Sequence, residues 1–104
     1  MPERYSIEFL PSAARELAKI PRDVRGRLVD AIDNLAAEPR PNMARLLSGT
    51  GADRIWRIRV GSYRVLYQVI ERRITVVIVR VADRREVYDR TALKRLLDRL
   101  DETR

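Results

Sequence analysis

The stretch WRIRVGSYRVLYQV, Trp56–Val69, decides the fold. Gly61-Ser62 separates two runs of alternating residues, which predicts a two-residue hairpin turn with glycine at its first central position. With that turn, Arg59 lies directly opposite Arg64 on one face of the hairpin. Like charges directly opposite each other destabilise a sheet. Because this pairing costs stability, the sequence indicates that a bound anion completes the site.

The segments around the hairpin predict a single α+β domain over residues 1–104. Alternation over residues 4–9 predicts an N-terminal strand, and apolar residues at helical spacing over 12–20 and 22–37 predict an antiparallel helix pair. Residues 42–53 are predicted as a loop. The remaining predicted elements are strands at 54–60, 63–70 and 74–81, an optional short strand at 86–88, and a C-terminal helix within 91–104. This order predicts a compact domain with a three- to four-stranded antiparallel sheet, helices on one face and arginines on the uncovered face.

The composition excludes several kinds of chemistry. The 104 residues include no cysteine and no histidine, which removes disulfides, thiolate metal sites, the commonest metal ligand and the commonest general base. We therefore expect neither a metal nor a cofactor. No apolar run approaches membrane-spanning length and the N-terminus lacks signal-peptide architecture, so we expect a cytoplasmic protein that does not use a membrane.

The excess positive charge is concentrated in one third of the chain. The net charge is +7. Residues 1–53 carry eight basic and eight acidic residues, whereas residues 54–90 carry ten basic and four acidic ones. All the basic residues except Lys19 and Lys94 are arginines, and the planar, always-charged arginine fork suits phosphate. A coding bias toward arginine would explain the missing lysines but not this location, so a polyanion is the predicted partner.

Two parts of the chain bring basic and phenolic side chains to one end of the predicted sheet. Arg57 shares a face with the Arg59–Arg64 pair because it is two residues from Arg59. The third strand runs back beside the second, so the loop after Val81 lies next to Arg64. That loop carries three further candidates: Arg84, Arg85 and Tyr88.

Each candidate also has a purely structural interpretation. Arg57 is interpretable as a solvated surface residue, and Arg85 and Arg90 as surface residues or generic phosphate contacts. The aromatic residues of the hairpin are expected to pack in the core, with base stacking as the alternative. These aromatic residues are Trp56, Tyr63 and Tyr67.

A site without histidine, metal or paired carboxylates can still cleave RNA. RNA supplies its own nucleophile, the 2′-hydroxyl, so the protein only positions it, assists a proton transfer and stabilises the phosphorane. Arginines around the scissile phosphate stabilise the phosphorane. An unperturbed tyrosine pKa of about 10 is too high for an efficient base, but neighbouring guanidinium groups favour the phenolate and lower that pKa. DNA has no 2′-hydroxyl, so this route is specific to RNA.

Several segments resemble the RelE/ParE superfamily of bacterial toxins over roughly residues 4–90. The hairpin run followed by RREVY is quite specific, whereas the helical segments alone are weak signals. The similar segments are YSIEF, AARELAKIPRDVR, ARLLSG, WRIRVGSYRVLYQV and VADRREVYDR.

The resemblance implies a compact toxin of a type II toxin–antitoxin system, held inactive by a cognate, RelB-like antitoxin. In the RelE branch it implies ribosome-dependent, metal-independent cleavage of messenger RNA in the ribosomal A site, which inhibits translation. It also implies operator DNA as a partner of the toxin–antitoxin complex. The RelE-branch pattern assigns catalytic roles to Arg64, Arg84 and Tyr88, and substrate binding to Arg57, Arg59 and Arg85.

The sequence departs from the RelE pattern in two ways, and two other functions remain open. Arg57 and Arg59 stand where well-known members have lysines, and arginine donates protons less readily. The short spacing between Arg84 and Tyr88 leaves Arg85 as an alternative for the role of Arg84. A ParE-like toxin that poisons DNA gyrase shares the fold, and a basic RNA-binding module without cleavage is the third interpretation.

Overall fold

The structure is a computed structural model that describes residues 4–47 and 54–87, together with the helical positions 94, 95 and 98. Two α-helices, five strands and a short 3-10 helix at Glu71–Arg73 make up this part of the chain. The strands are β1 (Ser6–Phe9), β2 (Arg45–Leu46), β3 (Trp56–Val60), β4 (Tyr63–Ile70) and β5 (Thr75–Asp83), and the helices are α1 (Pro11–Ala18) and α2 (Arg22–Asn34).

The five strands form one mixed sheet in the order β1-β5-β4-β3-β2. The predicted α+β class is confirmed, but the prediction of three or four antiparallel strands is wrong. β1 pairs parallel to β5, with Ser6 opposite Thr75, while the other three pairings are antiparallel. A parallel pairing requires a long connection, and here that connection contains both helices and the rest of the sheet.

Two smaller predictions also differ from the structure, and a third falls mostly outside the described residues. Residues 45 and 46 of the predicted loop form β2, which pairs with β3. Residues 84–87 form a turn instead of the optional strand. The predicted C-terminal helix falls mostly outside the described residues, although Lys94, Arg95 and Asp98 are helical and exposed.

The main hydrophobic core lies between the helices and one face of the sheet. α1 packs against β5 and α2 packs against β3. Leu28 and Ile32, one turn apart on α2, are both buried, as the helical spacing predicted. The buried members of this core are Ala13, Ile20, Leu28, Ile32, Leu35, Ala44, Ile58, Val65, Tyr67, Val76, Ile78 and Val81.

The opposite face of the sheet is not bare, which corrects the prediction of an uncovered face. Leu66, Val77 and Val79 on this side are buried in a second apolar cluster with Ile55, Ala82 and Val87. The register places the arginines of this face toward the β3–β4 turn, whereas apolar side chains continue along β4 and β5 away from it. The arginines therefore border an apolar cluster instead of covering a whole face.

A register shift interrupts the pairing of β4 with β5. Leu66 lies opposite Arg80, but the next residue, Tyr67, lies opposite Ile78. Val79 is therefore an extra residue on β5, as in a β-bulge. Because side chains alternate between faces, the extra residue lets Ile78 and Val81 both reach the helix-packed core.

Replacing Tyr67 by phenylalanine should lower the free energy of unfolding by about 1 kcal/mol near neutral pH. The Tyr67 hydroxyl donates a hydrogen bond to the Pro39 carbonyl at 2.6 Å, and a neutral hydrogen bond contributes about 0.5–1.5 kcal/mol. Burial raises the pKa of Tyr67 to about 12. The stability that this neutral hydroxyl contributes is fully present below the pKa of about 10 that tyrosine has in the unfolded chain. It is lost as the pH rises through the pKa of about 12 in the folded protein.

Urea denaturation of the native protein and Tyr67→Phe at pH 8 and pH 11 measures this difference. We expect the two proteins to differ clearly at pH 8 and by less at pH 11. An identical difference at both values would contradict a buried, neutral hydroxyl as its cause.

Candidate functional site

The hairpin turn has the geometry that the sequence predicts. Gly61 has a φ of 59°, in the region that glycine adopts at little steric cost, as the first central position of a type II′ turn requires. Arg59 lies directly opposite Arg64 in the register of β3 and β4. Arg57 shares their face and lies opposite Leu66. The predicted grouping of these three arginines on one face is therefore confirmed.

The register adds two further arginines to this face that sequence reasoning missed. Arg45 of β2 lies opposite Arg57, and Arg80 of β5 lies opposite Leu66. Arg45, Arg57, Leu66 and Arg80 therefore lie side by side across four strands. We call the three of them on β3, β4 and β5 the transverse row, which consists of Arg57, Leu66 and Arg80. Arg80 is the lone charge in the apolar run TVVIVRV, which is the signal that could have identified it. No comparable signal marked Arg45, because its strand has only two residues.

Arg64 is held at the turn by backbone carbonyl groups. Its Nη1 donates to the carbonyl oxygens of Gly61 and Tyr63, both at 2.9 Å. These contacts orient the guanidinium group over the turn without neutralising its charge. Arg64 thus has a structural partner, although that partner is the exposed main chain next to it.

Arg57 and Arg59 differ in exposure. Arg59 is exposed, whereas Arg57 is half-buried and its Nε is buried without a hydrogen-bond partner among the described residues. An unsatisfied buried donor is costly, and an anion above the hairpin is one way to satisfy it. The two arginines therefore present one solvated and one partly desolvated guanidinium group to the same face.

The turn after β5 brings Arg84 close to the hairpin turn. The Arg84 N–H donates to the Ser62 carbonyl at 2.8 Å. Arg85 instead turns back to Asp83, whose Oδ1 accepts from the Arg85 main-chain N–H at 2.9 Å and from its Nε at 3.3 Å. The first of these hydrogen bonds lowers the pKa of Asp83, which keeps the carboxylate charged beside Arg85. The Arg84 main chain is therefore fixed to the hairpin turn, whereas the Arg85 side chain is held by Asp83.

The tyrosines of the hairpin do not suit proton transfer at this face. Tyr67 is buried on the helix-packed face, where burial raises its pKa to about 12. Tyr63 packs against the same core. Both therefore take the structural interpretation, and the predicted catalytic Tyr88 lies outside the described residues.

Carboxylates leave most of the arginine face uncompensated. The ion pairs among the described residues join Arg40 to Glu71, Arg73 to Glu8, Arg80 to Glu16 and Arg85 to Asp83. In this part of the chain, none of the four involves Arg57, Arg59, Arg64 or Arg84. Over the same described residues, no group of three acidic side chains is placed to hold a metal ion, and no helix is long and apolar enough to cross a membrane.

The fold and this site define a small, basic α+β protein whose sheet carries a cluster of guanidinium groups on one face. The chain belongs to the RelE/ParE superfamily of toxins of type II toxin–antitoxin systems. The sequence model of the family described as "ParE toxin of type II toxin-antitoxin system, parDE" matches residues 7–88.

Individual relatives match almost over their whole length. The toxin RelG of Mycobacterium tuberculosis is 35% identical over 91 residues, which cover 83% of this chain and 98% of that protein. The mRNA interferase toxin RelE of Escherichia coli is 30% identical over 95 residues, covering 89% of this chain and 98% of that one. The toxin chain of the RelBE2 toxin–antitoxin complex from M. tuberculosis superposes with a TM-score of 0.68 at 31% identity, covering 80% of this chain and 94% of that chain.

The matches carry names from both branches of the superfamily. The family description names ParE, whereas these relatives are named RelE and RelG. The predicted family is confirmed, and the chain is a RelE-like toxin.

Proposed function

We propose that this toxin is an endoribonuclease that cleaves messenger RNA in the ribosomal A site and thereby inhibits translation. The observation that carries the proposal is the Arg59–Arg64 pair, set directly opposite across the hairpin with no carboxylate partner among the described residues. Two facing cations are best accommodated by a shared anion. The scissile phosphate of RNA is such an anion.

The chemistry follows from what RNA itself supplies. The 2′-hydroxyl of the nucleotide before the scissile bond gives its proton to a base and attacks phosphorus. The 5′-oxygen of the next nucleotide leaves and takes up a proton from water, which yields a 2′,3′-cyclic phosphate and a 5′-hydroxyl group. In this proposal Arg64 and Arg84 stabilise the negative charge that develops on the phosphorane, while Arg57 and Arg59 hold the strand. Tyr88 is the proposed base for the 2′-hydroxyl, and no step requires a metal ion.

The proposed partners are the ribosome with its messenger RNA and a RelB-like antitoxin. Toxin–antitoxin complexes from M. tuberculosis, Pyrococcus horikoshii, E. coli and Methanococcus jannaschii are among the similar structures. Relatives from E. coli and Shigella flexneri are named mRNA interferases. These names support cleavage of messenger RNA and control by an antitoxin for this chain as well.

Mapping the ends of messenger RNA after induced expression tests the proposal. Cuts within translated codons that disappear when translation is blocked are the expected result. A ParE-like gyrase poison is the second candidate, because the family description names ParE. Intact messenger RNA accompanied by gyrase-linked DNA breaks would favour that candidate and overturn the nuclease.

Binding to single-stranded RNA should weaken with salt in proportion to the number of phosphates contacted. The slope of log affinity against log salt falls by about 0.7 per lost contact. Separate Arg57→Ala, Arg59→Ala, Arg64→Ala and Arg84→Ala variants should each remove close to one contact. Arg85→Ala should remove less, because Asp83 already holds the Arg85 guanidinium group.

The matched control is Arg27→Ala, which removes the same charge from an exposed position on α2. This variant should keep the slope of the native toxin. If Arg27→Ala changes the slope as much as the hairpin variants do, the arginine face is not the RNA-binding surface.

A further inference from the structure

Arg80 is a nearly buried cation with too few partners. Only 11% of its side chain is exposed. Its one ion pair among the described residues joins Nε to Glu16 Oε2 at 3.5 Å, and Nε and Nη1 are buried without a hydrogen-bond partner in the same part of the chain. A buried charge is costly unless it is paired and hydrogen-bonded. The protein therefore keeps a guanidinium group that its own described residues leave incompletely satisfied.

Glu16 is a weak counter-charge for Arg80 because it also serves another group. Its Oε1 accepts a hydrogen bond from the Val81 main-chain N–H at 3.0 Å, at the edge of β5 that β1 no longer covers. Burial raises the pKa of Glu16, while the Val81 N–H and the charge of Arg80 act in the opposite direction. Glu16 thus binds the end of β5 through Oε1. Its other oxygen, Oε2, makes only the 3.5 Å contact with Arg80 Nε.

The position of Arg80 connects it to the arginine face. In the transverse row, Arg57 and Arg80 flank Leu66 on neighbouring strands. Two strand spacings separate their backbones by about 10 Å. Both side chains keep buried nitrogen atoms without hydrogen-bond partners in the described residues. Two undersatisfied cations in one row, beside the Arg59–Arg64 pair, indicate a binding surface wider than that pair.

We propose that Arg80 binds a second phosphate group of the RNA strand, next to the phosphate held by the Arg59–Arg64 pair. The ligand is a phosphodiester anion, which accepts charge-assisted hydrogen bonds from a guanidinium group. The inference rests on the proposed function only in taking the polyanion to be RNA, and it concerns binding instead of cleavage.

The test measures the salt dependence of binding to a short single-stranded RNA in a Tyr88→Phe background, so that cleavage does not interfere. Arg80→Met alone would leave the half-buried Glu16 carboxylate without its cation. The informative protein is therefore the double variant Glu16→Gln/Arg80→Met, which removes both charges of the pair together. We expect its slope to fall by about 0.7 from that of the parent.

Two companion variants separate phosphate binding from a structural role. Arg80→Lys keeps a cation and should keep the slope. Glu16→Gln keeps an oxygen for the Val81 N–H but frees Arg80 from its carboxylate, and it should bind RNA at least as tightly as the parent with the same slope. Arg27→Met is the control for loss of charge elsewhere.

The outcomes distinguish this inference from the proposed nuclease activity. A folded double variant with the parental slope would overturn the role of Arg80, even if the native toxin cleaves messenger RNA. A reduced slope in a toxin that cuts no RNA would sustain Arg80 as a phosphate contact and overturn the nuclease. If the double variant does not fold, weaker binding by Glu16→Gln would overturn the inference, and equal or tighter binding would support it.

Discussion

Changing Arg64 to alanine should reduce RNA cleavage by about 100- to 1,000-fold while leaving the fold intact. Loss of one preoriented donor to a developing oxyanion typically has an effect of this size. The backbone carbonyls of Gly61 and Tyr63 orient Arg64 at the turn, opposite Arg59. The effect is measured as the rate of messenger RNA cleavage on programmed ribosomes. Loss of toxicity on expression of the variant is the second readout.

The stability of Arg64→Ala decides whether the loss is functional. Gly61 is exposed, so water can replace the Arg64 hydrogen bond at its carbonyl, and removing Arg64 relieves repulsion with Arg59. We expect the free energy of unfolding to change by no more than about 1 kcal/mol. Any increase would come from the lost repulsion between the two facing arginines. Arg72→Ala, an exposed position at the far end of β4, is the control and should retain activity. A large loss of stability in Arg64→Ala would mean that its main-chain contacts hold the turn together.

Changing Tyr88 to phenylalanine should abolish most cleavage and leave RNA binding unchanged. The substitution removes one hydroxyl, so the salt slope of binding stays at the native value. Loss of a general base typically lowers the rate by about 100- to 10,000-fold. Single-turnover cleavage and binding, measured on the same RNA, separate the two effects.

The pH dependence of cleavage provides the sharper comparison. Arginine side chains are effectively always charged, so a pH dependence of the cleavage rate reports another group. The native rate should rise with pH while a base is being deprotonated, and this rise should be absent in Tyr88→Phe. Normal cleavage by Tyr88→Phe would show that the arginines and the 2′-hydroxyl of the RNA suffice.

The local part of the fold and site was predictable from sequence. The β3–β4 hairpin depends on a two-residue turn, so Gly61-Ser62 determines the register and the Arg59–Arg64 pair together. The amphipathic pattern of α2 predicted its buried residues for the same reason, because the periodicity of a helix is local.

The parts that depend on distant contacts were not predictable in this way. The alternation in β1 indicates a strand but not that its partner is β5, nor that the two run parallel. The ion pair of Arg80 was not predictable either, because its partner, Glu16, comes from α1, 64 positions earlier in the chain. Pairing of this kind follows from tertiary packing, which no local pattern encodes.

The extra residue Val79 divides β5 into two parts that differ in how firmly the sheet holds them. Residues 75–78 are hydrogen-bonded between β1 and β4, so any insertion there would displace the centre of the sheet. Beyond Val79, residues 80–83 pair with β4 alone among the described strands and lead into the turn that carries Arg84. An insertion or deletion at this end of the strand would therefore change the reach of the arginines while leaving the centre of the sheet in place.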